Sequence, residues 1–212
     1  MATSAVDICN GALCKIGVTD YISALDDPGK EAATANLLYA KQRDTLLSTF
    51  PWSFAARRVE LALVGAEEGT RDGWLYVYGM PSDCLAPRMV WQKPTSGIVC
   101  ASSRSMREDQ KWPFDVEKSA VGDGKVLLSD ADNAVLLYTC VVEDVSKFSP
   151  LFVEALEFSL AAEMSLPLTG KASLEERMRS RYLLRFGEAC AADMRGKQED
   201  PPAESEFIAV RR

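Results

Sequence analysis

Residues 39–58, YAKQRDTLLSTFPWSFAARR, decide how helices connect to strands in this chain. Proline lacks an amide proton and disfavours helical backbone at the residue before it, so Pro51 predicts the end of a helix. In an extended segment, Trp52 and Phe54 point to the same side because strand side chains alternate. The stretch offers no catalytic nucleophile, base or metal ligand. It therefore predicts a structural corner, pinned by Phe50, Trp52 and Phe54.

Two helices are predicted before this corner. The first begins near Ser4 and ends at Gly17. The second has Asp27 as its N-cap and Pro28 at its first position, where a missing amide proton costs nothing. Apolar residues at helical spacing form one face of each helix: Val6, Cys9, Leu13 and Ile16 in the first, and Ala32, Ala35, Tyr39, Leu46 and Phe50 in the second.

A charged pair interrupts the apolar face of the second helix. Arg43 lies among the apolar positions, and Asp44 follows it directly. A buried arginine needs a partner that compensates its charge. The pair is therefore either an internal clamp or part of a subunit contact, and we favour the internal clamp.

The pattern of residues 52–144 has period two, which is typical of strands. Gly-Asp-Gly at 122–124 predicts a hairpin turn, and residues 130–133 predict a second turn. Loops are expected at 66–73 and 102–111, and the second is polar, so it is expected to be mobile. This section is predicted to be mainly antiparallel sheet.

Two further helices are predicted after the sheet. Ser149 caps the third, Pro150 begins it and Pro167 ends it. The fourth begins near Ser173, which forms a capping box with Glu176, and continues to about residue 196. Its apolar stripe recurs at intervals of four residues: Leu174, Met178, Tyr182 and Phe186.

The predicted fold class is α+β. Residues 1–50 and 148–196 are expected to form a four-helix domain that assembles into a ring, and residues 51–147 an inserted, mainly antiparallel β domain. Residues 197–212 contain Pro-Pro and many charges, so they cannot build a core and predict a flexible tail. The end of the tail, FIAVRR, has the composition of either a docking peptide or a solvated terminus.

Basic side chains on the fourth helix are candidates for contact with another protein. Like charges four residues apart on a helix repel each other unless acids from elsewhere compensate them. The simpler interpretation is that these arginines lie on a solvated face and pair with acids of the same chain. The more specific interpretation is that they contact the portal or a neighbouring subunit. The candidate contact residues on the helix and tail are Arg177, Arg181, Arg185, Phe207, Ile208, Arg211 and Arg212.

Composition argues against catalysis. The 212 residues include no histidine, which removes the usual neutral-pH base and the commonest metal ligand. The six cysteines form no CxxC pair, so we interpret them as reduced, buried thiols of an intracellular protein and expect no structural zinc. Asp130 and Asp132 lack the calcium-loop pattern and are interpreted as turn residues. We predict no catalytic residues, no cofactor and no metal.

The net charge of −7 argues against a dedicated nucleic-acid-binding domain, which usually carries a basic excess. An acidic surface would instead let DNA slide past without holding it. No apolar stretch is long enough to cross a membrane, so no membrane partner is expected.

Several motifs together resemble the tail tubular protein A family, the head-to-tail adaptors of short-tailed bacteriophages. The resemblance covers roughly residues 6–193, and residues 94–118 depart from the family pattern. The motifs that carry it are ICNGALCKIG (8–17), Glu31-Ala32, Tyr39 with Arg43-Asp44, PWSFA (51–55), YVYGMPSDCL (76–85) and LFVEALEFSLAAEMSLPLTG (151–170).

This resemblance implies a helical domain that carries a β domain and assembles into a dodecameric ring in the virion, built in the host cytoplasm. One side of the ring would bind the portal protein and the other the tail nozzle protein. DNA would pass through the lumen without specific binding. The structural junction between the two domains would contain Arg43, Asp44, Pro51, Trp52 and Phe54.

Two other functions are alternatives. A tail-associated cell-wall hydrolase would need an acid of raised pKa in a cleft, and the sequence shows none. A host-side protein-interaction module would not assemble into a ring with a portal.

Overall fold

The computed structural model of the protein describes residues 4–64, 73–93 and 111–196, and the fold is α+β. The predicted loops at 66–73 and 102–111 lie almost entirely outside the described residues. The helices are α1 (Ala5–Lys15), α2 (Lys30–Thr49), α3 (Pro150–Thr169) and α4 (Ala172–Arg195). The strands are β1 (Ala56–Glu60), β2 (Tyr76–Gly79), β3 (Cys84–Gln92), β4 (Phe114–Lys118), β5 (Lys125–Ser129) and β6 (Ala134–Cys140).

The strands form two small antiparallel sheets, ordered β1-β6-β3 and β2-β5-β4. The hairpin predicted at 122–124 is confirmed: it joins β4 to β5, and the Ser119 amide donates to the Gly124 carbonyl at 2.9 Å. The turn at 130–133 is also present, with Asn133 in the left-handed region at φ 52°. Because β5 and β6 belong to different sheets, this turn carries the chain from one sheet to the other.

The boundaries of α1 agree with those predicted from the sequence. Ser4 and Asp7 form a reciprocal capping box, in which each side chain accepts a hydrogen bond from the other residue's amide at 2.8–3.1 Å. These bonds lower the pKa of Asp7. Gly17 follows the helix in the left-handed region at φ 78°, which glycine adopts without strain.

The predicted cap of α2 is wrong. The helix begins at Lys30 with Gly29 as its N-cap, so Pro28 lies before it. The Asp27 carboxylate instead accepts the amides of Ser23 and Ala24 at 2.7 and 2.8 Å. An aspartate accepts local amides on either side of itself, and here the preceding turn uses this carboxylate.

The predicted end of α3 and the predicted cap of α4 are also wrong. The helix α3 continues through Pro167 to Thr169, because a proline near a helix end removes only one hydrogen bond. Gly170 ends it in the left-handed conformation and donates to the Leu166 carbonyl at 2.9 Å. The helix α4 begins at Ala172, so Ser173 lies inside its first turn and forms no cap.

The helix α3 is the centre of the helical layer. It packs against α1, α2 and α4. Phe152, Leu156 and Leu160 on α3 are fully buried. The core is one continuous cluster that also includes strand residues such as Tyr78 and Leu136, so the helices and the sheets share it. In the described part of the chain, no helix is long and apolar enough to cross a membrane.

A glycine lies at the contact between α1 and α3. A Cβ at Gly11 would lie 2.5 Å from the Glu157 carboxylate oxygen, which forms an ion pair with Lys15. Gly11→Ala must therefore displace a half-buried, paired carboxylate. We expect it to lower the free energy of unfolding by about 1 kcal/mol, measured by urea denaturation, although alanine is the better helix former.

The control for this prediction is Gly187→Ala in α4, where no atom lies within 4 Å of the added Cβ. At this position the substitution changes only the helix propensity, so we expect the free energy of unfolding to rise by about 0.5–1 kcal/mol. Stabilisation of both variants by the same amount would contradict the proposed role of Glu157.

Candidate interaction surfaces and the aromatic corner

Trp52 is the centre of the corner predicted from residues 39–58. Its side chain is fully buried. Its ring centroid lies 4.9 Å from that of Phe50, 5.9 Å from Phe54, 5.0 Å from Phe152 on α3 and 6.1 Å from Phe186 on α4. Residues 51–55 form a turn rather than a strand, yet the Trp52 and Phe54 rings share one side, since both contact Phe152.

Hydrogen bonds connect this corner to the rest of the molecule. The Trp52 Nε1–H donates to the Leu46 carbonyl at 2.9 Å, which ties the corner to α2. The Arg88 guanidinium lies between the Trp52 carbonyl, at 3.5 Å, and the Thr139 hydroxyl on β6, with Nε at 2.7 Å. Burial lowers the pKa of Arg88. The Asp193 carboxylate accepts the Ser53 amide at 3.1 Å, which ties the corner to α4.

The charged pair of α2 lies within the molecule. Arg43 is 8% exposed, and its Nε–H donates to Asp44 Oδ1 at 2.8 Å. The guanidinium carbon lies 6.0 Å from the Tyr39 ring centroid, at the outer limit of a cation–π contact. The buried Arg43 therefore has a partner within its own helix, and the role of the pair as an internal clamp stays a prediction.

The three arginines of α4 predicted as contact residues differ in their surroundings. Arg185 is paired with Glu154 of α3 at 3.2 Å and with Glu188 at 2.7 Å, so it serves the contact between α3 and α4. Arg177 and Arg181 are exposed, and within the described ranges neither has a carboxylate partner. The other candidate residues, Phe207, Ile208, Arg211 and Arg212, lie outside the described residues.

A basic cleft of about 450 Å³ lies between the end of α1 and the start of α4. We use this name for the cleft lined by Lys15, Gly17, Lys171, Ser173 and Arg177, together with Cys14, Ile16 and Leu174. Lys15 is engaged with Glu157, whereas Lys171 and Arg177 point charge into a space that no described acid occupies. Such an arrangement can bind a carboxylate or another anion.

The outer face of α4 also exposes large apolar side chains. Leu183 is 63% exposed, and Leu184 and Met194 are each 57% exposed. The opposite face packs into the core through Leu174 and Met178. The helix α4 thus exposes both apolar side chains and the unpaired Arg177 and Arg181.

The structure also places the cysteines and the potential metal ligands of the described residues. Between residues 4 and 64, 73 and 93, and 111 and 196, no three potential metal ligands lie together. Burial raises the pKa of the Cys9 thiol to about 12 and that of Cys84 to about 11, which suppresses the reactive thiolate. The expected burial holds for Cys9 and Cys140, whereas Cys84 and Cys190 are half-buried and Cys14 is exposed.

Sequence reasoning missed several residues of the corner and the cleft. Phe152 and Phe186 were visible only as members of apolar helices, and nothing in the sequence connected them to Trp52. Nothing in the sequence marks Asp193 and Arg88 as part of the corner, because acids on exposed helix faces and arginines in strands are common. The basic cleft combines residues about 160 positions apart, so only the fold assembles it.

Compared with protein-family models and with curated proteins, the chain shows no match to either. The resemblance to phage adaptors therefore rests on the motifs of the sequence.

Proposed function

We propose that the protein is a structural head-to-tail adaptor of a short-tailed phage, a subunit of a ring between the portal protein and the tail nozzle protein. The observation that carries the proposal is the outer face of α4. The helix exposes two unpaired arginines, Arg177 and Arg181, on the same side as Leu184, and it exposes Leu183 and Met194 further round its circumference. A helix with this composition favours contact with protein rather than with a small substrate.

The charge of the chain is consistent with this role. A ring subunit through which DNA passes must not hold the phosphate backbone. The net charge of −7 opposes tight binding of DNA, because affinity for DNA depends on basic side chains that replace its counterions. In this proposal DNA passes through the lumen without specific binding. The protein is assembled in the host cytoplasm and then resides in the virion.

The test is direct binding to the portal ring of the same phage. Mixed with purified portal, the full-length chain is expected to give a complex of higher mass, with a ring visible on the portal by negative-stain imaging. Absence of any complex would refute the adaptor role. Clearing of a cell-wall substrate in a zymogram would instead favour the hydrolase.

In this proposal, residues 197–212 and α4 bind the portal, while the β section contacts the nozzle. Deleting residues 197–212 is therefore expected to abolish portal binding. The deletion should not change the free energy of unfolding by more than about 0.5 kcal/mol, because a Pro-rich charged segment adds little to a core. Pull-down on immobilised portal and urea denaturation measure the two effects.

A matched control keeps the chain length. Replacing Phe207, Ile208, Arg211 and Arg212 together with serine tests whether the apolar and basic end of the tail is what binds. We expect the same loss as with the deletion. Unchanged binding by the truncated protein would show that the tail plays no part in docking.

A further inference from the structure

We infer that Cys84 and Cys140 form an oxidisable pair, a modification site at which a low-molecular-weight disulfide converts two neighbouring thiols into one intramolecular disulfide. The two residues are partners in the register of β3 and β6, and both are thiols in this structure. The pair is independent of the proposed function, because it follows from the pairing of two strands.

The backbone hydrogen bonds place the two cysteines in the closer of the two antiparallel arrangements. Opposite residues alternate between pairs that exchange backbone hydrogen bonds and pairs that do not, and the second kind lie closer together, with Cα atoms about 4.5 Å apart. The Val141 amide donates to the Asp83 carbonyl at 2.9 Å, so these two residues form a hydrogen-bonded pair. The adjacent pair, Cys84 and Cys140, is therefore of the closer kind.

The other neighbour of β6 supports this assignment. The Cys140 amide donates to the Ala55 carbonyl at 2.9 Å, directly before the start of β1. The amide and carbonyl of a residue in an antiparallel strand point towards the same neighbouring strand, so those of Cys140 face β1 rather than β3. Cys84 therefore approaches Cys140 through its side chain and not through its backbone.

A disulfide fits this arrangement. It requires Cα atoms about 4.4–6.8 Å apart and Cβ atoms about 3.5–4.5 Å apart. Directly opposite side chains on antiparallel strands share one face, with Cβ atoms about 4.5–5.5 Å apart and closer in pairs without backbone hydrogen bonds. The ladder also shifts register between Cys84 and Ala86, and such an irregularity interrupts regular pairing, so β3 can adjust at this end.

The surroundings of the two thiols decide which one meets the oxidant first. Cys84 is half-buried, whereas Cys140 is 6% exposed. The oxidant therefore reaches Cys84 first, and Cys140 completes the bond. Burial raises the pKa of Cys84 to about 11, and the neighbouring Asp83 and Cys140 add to the rise. Because the thiolate is the reactive form, we expect the reaction to be slow at neutral pH.

The bond forms by two successive thiol–disulfide exchanges. Cys84 loses its proton to water, and its thiolate attacks one sulfur of the small disulfide, whose S–S bond breaks and releases one small thiolate. The Cys140 thiolate then attacks the Cys84 sulfur of the mixed disulfide and releases the second small thiolate. The two protein thiols lose two electrons and two protons, and the small disulfide is reduced to two thiols.

The state of the pair depends on the redox surroundings. Disulfides are reduced in the cytoplasm and persist in oxidising surroundings outside the cell. We therefore expect Cys84 and Cys140 to be thiols while the protein is in a cytoplasm, and a bond between β3 and β6 once it is outside.

Peptide mapping of the full-length chain gives the main readout. The protein is incubated with oxidised glutathione, its remaining thiols are blocked with N-ethylmaleimide, and it is digested with trypsin without a reductant. Cleavage after lysine and arginine gives the peptides 72–88 and 126–147, which contain Cys84 and Cys140 as their only cysteines. We expect these two peptides to be joined by a bond that dithiothreitol breaks.

The exposed Cys14 reports whether the oxidant has acted. It lies on α1 and not in a strand ladder, so we expect it to retain glutathione as a mixed disulfide. Its mass increase is measured in the same digest and serves as the positive control for oxidation.

Stability gives a second readout. The bond closes a loop of more than fifty residues and restricts the unfolded chain, so oxidation is expected to raise the urea midpoint of unfolding by about 1 M. Cys84→Ser and Cys140→Ala are each compared before and after oxidation. We expect neither variant to give linked peptides or a rise in its own midpoint.

Two outcomes would overturn the inference. One is glutathione on Cys14 while Cys84 and Cys140 are both recovered as N-ethylmaleimide adducts. The other is a bond from Cys84 to a cysteine other than Cys140. The portal takes no part in this experiment, so neither outcome bears on the adaptor role.

Discussion

Trp52→Ala is expected to lower the free energy of unfolding by about 3–5 kcal/mol, the range for removal of a fully buried large aromatic side chain. Trp52 is 0% exposed and its ring lies within 6.1 Å of four phenylalanine rings. Its indole N–H also satisfies the Leu46 carbonyl. The variant leaves both a cavity and an unsatisfied acceptor.

Two matched variants separate these contributions. Trp52→Phe keeps an aromatic ring but loses the hydrogen bond to Leu46, so we expect a smaller loss of about 1–3 kcal/mol. Trp112→Ala removes the same side chain at a position that is 36% exposed, and about 1 kcal/mol is expected there. Urea denaturation of Trp52→Ala, Trp52→Phe and Trp112→Ala ranks the three losses in the free energy of unfolding. Equal losses for Trp52→Ala and Trp112→Ala would contradict the role of the corner.

The corner has a consequence for binding as well. Because Trp52 is buried, it cannot touch a partner directly. Trp52→Ala should therefore retain portal binding at temperatures where the variant is folded, and lose it only as unfolding begins. Loss of binding by a fully folded variant would mean that the corner sets the orientation of helices and sheets at the interface.

Asp44→Ala is expected to destabilise the protein by about 2 kcal/mol. Removing one member of a buried ion pair leaves the other charge uncompensated, at a cost of about 3–5 kcal/mol when both are fully buried. The Asp44 side chain is 34% exposed, so water reaches the site and reduces this cost. The measurement is again the urea denaturation curve.

Arg43→Met is the control for this pair. It removes the charge from the 8% exposed site and keeps an unbranched side chain of similar length, so we expect a loss below about 1 kcal/mol. When Asp44→Ala is added to Arg43→Met, we expect little further loss in the free energy of unfolding. If Asp44→Ala alone is neutral, the pair is not an internal clamp, and the subunit contact becomes the better interpretation.

Features that depend on a few neighbouring residues were predictable. The start of α1 near Ser4, the start of α3 at Ser149 and Pro150, and the hairpin at 122–124 each depend on chemistry within one turn, so the sequence was enough to predict them. The α+β class followed from the change of period between the helices and residues 52–144. These predictions succeeded because hydrogen-bond capping and side-chain alternation are local.

Predictions of helix caps and helix ends failed where one residue can serve more than one local structure. Asp27 was an acceptable cap, but its carboxylate closes the turn before α2. Ser173 and Glu176 match a capping box, but the N-cap of α4 is Lys171, two residues before Ser173, so the serine lies within the first turn. Pro167 is tolerated because α3 is nearly complete and Gly170 supplies a better end. Tertiary packing adds more free energy than any single cap.

The sequence by itself determined the order and kind of most elements, the absence of histidine and the position of the corner, because these depend on residues close together in the chain. Only the tertiary structure decided that Phe152 and Phe186 enclose Trp52, that the strands divide into two sheets, and that Lys171 and Arg177 meet Gly17 in one cleft. These pairings join residues far apart in sequence. No periodicity records which distant surfaces bury each other, because burial depends on how all the elements pack at once.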